Sequence, residues 1–207
     1  MIEYRTIANE VSAEFIERRS RFIGYAKPVE TEEEAVSFIN AIKSKNWNAT
    51  HNVYAYSIRN NQLKRYSDDG EPQGTAGIPT LDVLQKSEVT DAVVVVTRYF
   101  GGILLGTGGL VRAYSHSASI ALQQAKMITM RTCLMAEVRC DYNQYGKLAA
   151  LIPESGGVVD NVDFTDVVQV HFHMSDECMP AFEQKLADVT CGQSKIVVAG
   201  EKFFEIL

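Results

Sequence analysis

Residues 92–96 read Ala-Val-Val-Val-Val. A continuous β-branched run of this kind marks a strand buried on both faces. The run passes through Arg98-Tyr99-Phe100 and opens into Gly101-Gly102-Ile103-Leu104-Leu105-Gly106-Thr107-Gly108-Gly109. Leu110, Ala113, Tyr114, Ser117, Ala118 and Ala121 then share one face of a helix expected over about 109–126. The small residues on that face permit close packing against a sheet.

The flanking pattern extends this into a mixed α+β chain. Strand-like segments at 2–10 and 20–29 precede Thr31-Glu32-Glu33-Glu34, a capping box. Ala35, Phe38, Ile39 and Ile42 follow at helical spacing, which predicts a helix over 31–46. Residues 52–59 put Tyr54, Tyr56 and Ile58 on one face of a strand, and a Gly-rich acidic loop at 67–79 leads into a short helix over 79–87. After residue 130 the order becomes strand, helix, strand, strand, helix, strand, with Leu134, Ala136, Val138 and Cys140 alternating at its start. Met179, Phe182, Leu186 and Val189 mark its second helix. That βαββαβ order is the ferredoxin-like split motif, in which one pair of helices covers one sheet face and leaves the other open. We therefore expect two α+β domains, 1–130 and 131–207.

Charge divides at the same place. Residues 1–130 carry 14 Lys and Arg against 14 Asp and Glu, whereas residues 131–207 carry 6 against 12, so the net −6 sits in the last third. A chain wrapping nucleic acid would show a basic footprint, and DNA is not an expected partner. Local basic spots remain: Arg18, Arg19 and Arg21 beside Phe22, and Lys64-Arg65-Tyr66, where arginine beside an aromatic suits phosphate and base contact. The absence of a long apolar run and of a basic-then-apolar leader pattern leads us to expect a cytoplasmic protein without a membrane partner. The four cysteines form no Cys-x-x-Cys pair and are expected in the core.

Two segments carry candidate chemistry. In Asp68-Asp69-Gly70-Glu71-Pro72-Gln73-Gly74-Thr75-Ala76-Gly77, three carboxylates within four residues could supply ligands to a hard cation such as magnesium, but Asp-Gly and Glu-Pro are turn formers and a solvated turn is the favoured reading. In Gly101–Gly109, the glycines and the helix start would offer backbone N–H groups to an anion, with charge from Arg98 or Arg112. Close strand-to-helix packing explains the same glycines. A phosphate loop of the Walker type fails because Thr107 stands where lysine is required, and a dinucleotide fingerprint fails at Val111. The anion-binding set read from this segment is Arg98, Tyr99, Gly101, Gly102, Gly106, Thr107, Gly108, Gly109 and Arg112.

No nucleophile–base pair follows from Ser115-His116-Ser117, since neighbours on a helix diverge. His116 shares a face with Arg112. His171 and His173 share a strand face without a third ligand at motif spacing, so no metal site is expected there.

The segments Asp-Asp-Gly-Glu-Pro-Gln-Gly-Thr-Ala-Gly-Ile-Pro (68–79) and 93–115 closely resemble the signature of the IMPACT/YigZ family, with Gly77, Arg98, Tyr99, Phe100, Gly101, Gly102 and Gly106 at its motif positions. The resemblance implies an N-terminal domain similar to the second domain of a small-subunit ribosomal protein. It also implies a ferredoxin-like C-terminal domain similar to the last domain of elongation factor G. Eukaryotic relatives regulate translation by binding another protein. The expectation is thus a non-enzymatic regulatory or binding protein that meets a translation-related protein or the ribosome through the two Gly-rich loops. Two alternatives stay open: an enzyme acting on a phosphorylated small molecule with magnesium on Asp68, Asp69 or Glu71, and a direct RNA-binding protein using Arg18, Arg19 and Arg21.

Overall fold

The structure, a computed structural model, describes residues 3–206 in two compact units, residues 4–129 and residues 130–206 with Glu3. Residue 2, where the first expected strand begins, lies outside the described residues.

The first part of the chain runs β1 (Glu3–Ile7), β2 (Val11–Glu17), β3 (Ser20–Pro28), α1 (Glu32–Lys45), β4 (His51–Ile58), β5 (Leu63–Ser67), α2 (Gly77–Lys86), β6 (Ala92–Tyr99) and α3 (Thr107–Gln124). An antiparallel sheet of order β2-β3-β6-β4-β5 places the valine run in its centre. Residues 92–96 are all fully buried. Val93 and Val95 pack with Phe38, Ile39 and Ile42 of α1 on one side. Ala92, Val94 and Val96 pack with Leu84 of α2 and Leu110, Tyr114 and Ala118 of α3 on the other. Each side chain of valine size buried in this way stabilises the fold by about 1.5–3 kcal/mol, so the run holds three layers together.

Local signals set the helix ends and contacts. Thr31 caps α1 by accepting from the Glu34 N–H at 3.2 Å, while the Glu34 carboxylate reaches back to the Glu30 N–H at 2.8 Å. The small face of α3 meets β3 at Gly24, where a Cβ would lie 2.5 Å from the Ser117 carbonyl oxygen. Gly24 is therefore the complement of the small residues on α3.

Two strands, β2 and β5, were not anticipated. They are the two edges of the sheet, and their exposed Glu14, Ile16, Lys64 and Arg65 blur the apolar alternation. Helices α2 and α3 each begin two residues earlier than expected, at Gly77 and Thr107.

The chain enters the second unit within β7 (Met127–Cys140) and continues through α4 (Tyr142–Glu154), β8 (Val158–Phe164), β9 (Val168–Met174), α5 (Met179–Thr190) and β10 (Ile196–Ile206). Its sheet order is β10-β7-β9-β8, with β7–β9 and β9–β8 antiparallel. Val138, Val170, Phe172 and Met174 face Leu148 and Ile152 of α4 and Phe182 and Leu186 of α5. On the opposite face His171 lies 3.0 Å from Asp163 and 3.8 Å from Glu137, and His173 lies 2.7 Å from Asp160. Each histidine thus has carboxylate company. Val189 is 38% exposed, and Thr190 closes the buried stripe of α5 instead. Cys133 and Cys140 are buried, which raises both thiols, but Cys178 is half-buried and Cys191 exposed, so the core expectation fails for Cys191. The reason is local: Cys191 follows the last turn of α5 in the left-handed conformation.

Adding side chains at two glycines tests this packing with opposite signs. Gly24→Val forces α3 off β3 and should destabilise the first unit by at least about 1–3 kcal/mol. Gly146→Ala, inside α4 with nothing within 4 Å of the added Cβ, should stabilise the second unit by about 0.5–1 kcal/mol. Thermal denaturation followed by circular dichroism reads both.

Candidate functional site

The acidic segment is built inward. The Asp68 carboxylate accepts from the Gly74, Ala76 and Gly77 N–H groups at 2.9, 3.1 and 2.8 Å. It caps α2, whose own N-cap residue, Ala76, has no side chain to do so. Asp69 accepts from Lys43 Nζ at 2.7 Å and from the Asn52 N–H at 2.6 Å. The Asp69 carbonyl oxygen lies 2.8 Å from His51 Nδ1; an oxygen of this type only accepts, so Nδ1 carries the hydrogen. Gly70 lies against the same imidazole, Gly74 ends the turn, and Thr75 Oγ1 donates to the Pro72 carbonyl at 2.7 Å. The three carboxylates that the enzyme alternative would place on a cation thus turn to three separate sets of partners. Among the described residues no group of three His, Cys, Asp or Glu side chains is arranged to hold a metal ion.

Glu71 carries the connection to the second Gly-rich segment. Its Oε1 accepts from Arg98 Nη1 at 2.5 Å and from the Tyr114 hydroxyl at 2.7 Å, and His51 Nε2 stands 3.8 Å away. Both ends of the ion pair are buried, with 6% and 3% of the side chains exposed. The Arg98 guanidinium lies 5.5 Å from the Phe22 ring centroid and 5.4 Å from that of Phe100. Its Nη2 reaches Ser20 Oγ at 3.4 Å, while Nε is buried without a partner among the described residues. Burial first, and then the Glu71 carboxylate, push the Tyr114 hydroxyl far above the ordinary phenol range. Tyr114 therefore stays a donor.

Arg98 was expected to face an anionic ligand; it neutralises Glu71 instead. Its burial does have a sequence signal. Residues 94, 96 and 98 share one strand face, so Arg98 had to enter the buried layer and find an acid there. Neither Glu71 nor Tyr114 could be picked out as that partner, because both come from distant segments. Tyr99 is half-buried, and its hydroxyl donates to Asn46 Oδ1 at 3.1 Å.

The loop after β6 is anchored below and apolar above. A Cβ on Gly101 would lie 2.0 Å from the Arg19 carbonyl carbon, so only glycine fits against the β2–β3 turn. The Phe100 N–H donates to Thr50 Oγ1 at 3.0 Å and the Gly101 N–H to Ser20 Oγ at 3.2 Å. Gly102 continues the loop; Gly106, at φ 73°, is the N-cap of α3, and Thr107, Gly108 and Gly109 form its first turn. Above this frame Phe100, Ile103 and Leu104 are 46%, 40% and 80% exposed.

The basic residues separate into two groups. Arg18 and Arg19 form the tip of the β2–β3 hairpin with φ 45° and 65°, the signs of a type I′ turn, where Asn-Gly sits without strain. Arg18 Nη1 donates to the Leu104 carbonyl at 3.3 Å. Arg21 is bound at 2.7 Å to Glu14 on β2 and does not join them. Arg112 and His116 are exposed one turn apart on α3, and the His116 ring meets Phe15 edge-on at 4.7 Å. Between hairpin and helix lies a cleft of about 230 Å³ whose walls include Arg18, Arg112 and His116 but no residue of 68–77.

A chain of two antiparallel α+β units, with a buried ion pair under a glycine-rich loop, defines the class. The Impact N-terminal domain family matches residues 18–122, and a domain of unknown function (DUF1949) matches residues 138–193. IMPACT family member YvyE of Bacillus subtilis is 38% identical over 194 residues, covering 93% of this chain and 89% of the relative. A Dictyostelium discoideum IMPACT homolog is 39% identical over 95 residues, 44% of this chain and 27% of its own. A crystal structure of a hypothetical protein is similar with a TM-score of 0.61 and 32% identity, covering 95% of this chain and 97% of that one. The chain belongs to the IMPACT family.

Arg98→Met leaves Glu71 buried with only the phenol as donor and should cost about 3–5 kcal/mol in urea denaturation. Alkaline pH tests Tyr114. Its pKa is higher folded than unfolded, so the native state holds the proton longer and stability falls as pH rises above about 10. Comparing urea midpoints of wild type and Tyr114→Phe across that range should show a shallower alkaline loss in the variant.

Proposed function

We propose that the protein is a non-enzymatic regulatory or binding protein linked to translation, acting in the cytoplasm. Its recognition surface is the loop 100–106. The observation that carries this reading is the contrast within that loop: a backbone pinned through Phe100, Gly101 and Arg98, and apolar side chains held out into water. A pre-ordered apolar anchor loses little freedom on binding, which is how a few residues come to dominate a protein interface. The family resemblance supports a translation-related protein or the ribosome as partner. It also supports reading the first unit as similar to the second domain of a small-subunit ribosomal protein. The order βαββαβ and the sheet order β10-β7-β9-β8 support a ferredoxin-like reading of the second unit. The acidic charge of that unit suits a basic protein surface better than bare RNA. No helix among the described residues is long and apolar enough to cross a membrane.

The enzyme reading has less support, since it needs Asp68, Asp69 or Glu71 for magnesium or a proton and all three are engaged. Ribosome co-sedimentation at low and moderate salt tests the proposal. Wild type should sediment with ribosomes at low salt, and Leu104→Asp, a change at an exposed position, should not. Absence of wild type from the ribosome fraction in both conditions, or equal sedimentation of the variant, would count against it.

A further inference from the structure

We infer that the cleft between the β2–β3 hairpin tip and α3 is a binding site for a single phosphate group. Two arginines line it from separate elements, Arg18 from the hairpin turn and Arg112 from α3, and His116 stands one turn beyond Arg112. In the same unit Arg21, Lys27, Lys43, Arg59 and Arg98 each have a carboxylate partner. Arg112 has no hydrogen-bond or ion-pair partner among the described residues, and Arg18 has only the Leu104 carbonyl oxygen, at 3.3 Å. With two arginines against one acid, Glu17, the cleft keeps an excess positive charge that a bound anion would neutralise.

The composition of the walls narrows the ligand. Donors arriving from two sides suit a tetrahedral phosphate, whereas a planar carboxylate is satisfied by one bidentate arginine. Glu17 also lines the cleft, so the two arginines exceed the acid by a single charge, which favours one phosphate over a polyphosphate. Phe15 lies in the wall with its ring against His116, leaving an apolar surface for the organic part of a phosphate ester. The glycines at the start of α3 add backbone amide donors nearby. A small phosphorylated molecule and an RNA backbone share this chemistry. The site needs no protein partner, and its test does not require docking at the loop 100–106.

The test titrates the intact protein with inorganic phosphate, a nucleoside 5′-monophosphate and a short unstructured RNA, following amide chemical shifts. The variants are Arg112→Gln and Arg18→Asn, the latter retaining a side chain suited to the left-handed turn. Arg21→Gln, outside the cleft, is the control. At least one probe should bind wild type and the control alike, shifting amides of residues 106–116, and should bind about tenfold or more weakly to each cleft variant. Binding of the small phosphates without gain from RNA assigns a small-molecule source. Affinity that grows with RNA length and falls with salt assigns the RNA backbone. No saturable binding of any probe, or equal affinity in wild type and both cleft variants, overturns the inference. Arg112→Lys guards against a misfolded variant, because a retained charge should restore most of the binding.

Discussion

The buried pair between Arg98 and Glu71 is the interaction on which one end of the first unit depends. Taking two such charges out of water costs several kcal/mol each. Here that cost is offset by the pairing itself, by the Tyr114 hydroxyl, and by the rings of Phe22 and Phe100 near the guanidinium. A pair of this kind contributes less to net stability than to geometry. It ties the acidic segment to the end of β6 and to α3, three parts of the chain that share no local contact in sequence. Everything exposed at that end is positioned from this buried point.

The consequence is a loop that is ordered without being covered. Gly101 can approach the hairpin turn only because it lacks a side chain, and that approach brings Arg18 beside the Leu104 carbonyl. The same contact forms the docking face and one wall of the cationic cleft. The two proposed activities, apolar docking and phosphate binding, therefore share a frame and adjoin at Leu105, which belongs to the loop and lines the cleft. Aspartates that look like ligands serve the frame as well: Asp68 caps α2, and Asp69 joins α1 to β4 through Lys43 and Asn52.

Much of the architecture was legible because it rests on periodicity. The valine run announced the central strand, the Thr31 box announced α1, and the alternation after residue 130 announced the order of the second unit. The edge strands were hidden because exposed charge at Glu14, Lys64 and Arg65 overrides the pattern there. The site was less legible, and for a different reason. Composition shows that carboxylates and arginines are present, but pairing is decided by the fold, so Asp68, Asp69, Glu71 and Arg98 read as available when they are engaged. The cleft was half visible: Arg112 and His116 share a helical face, yet nothing local says that Arg18 stands opposite.

The Arg98–Glu71 pair holds the loop 100–106 in place. Amide hydrogen exchange at Phe100 and Gly101, compared between wild type and Glu71→Gln under conditions where both are folded, measures this directly. Both amides should exchange about tenfold or more faster in the variant, while amides of β9 in the second unit should be unchanged. Equal protection at Phe100 and Gly101 in the two proteins would contradict it.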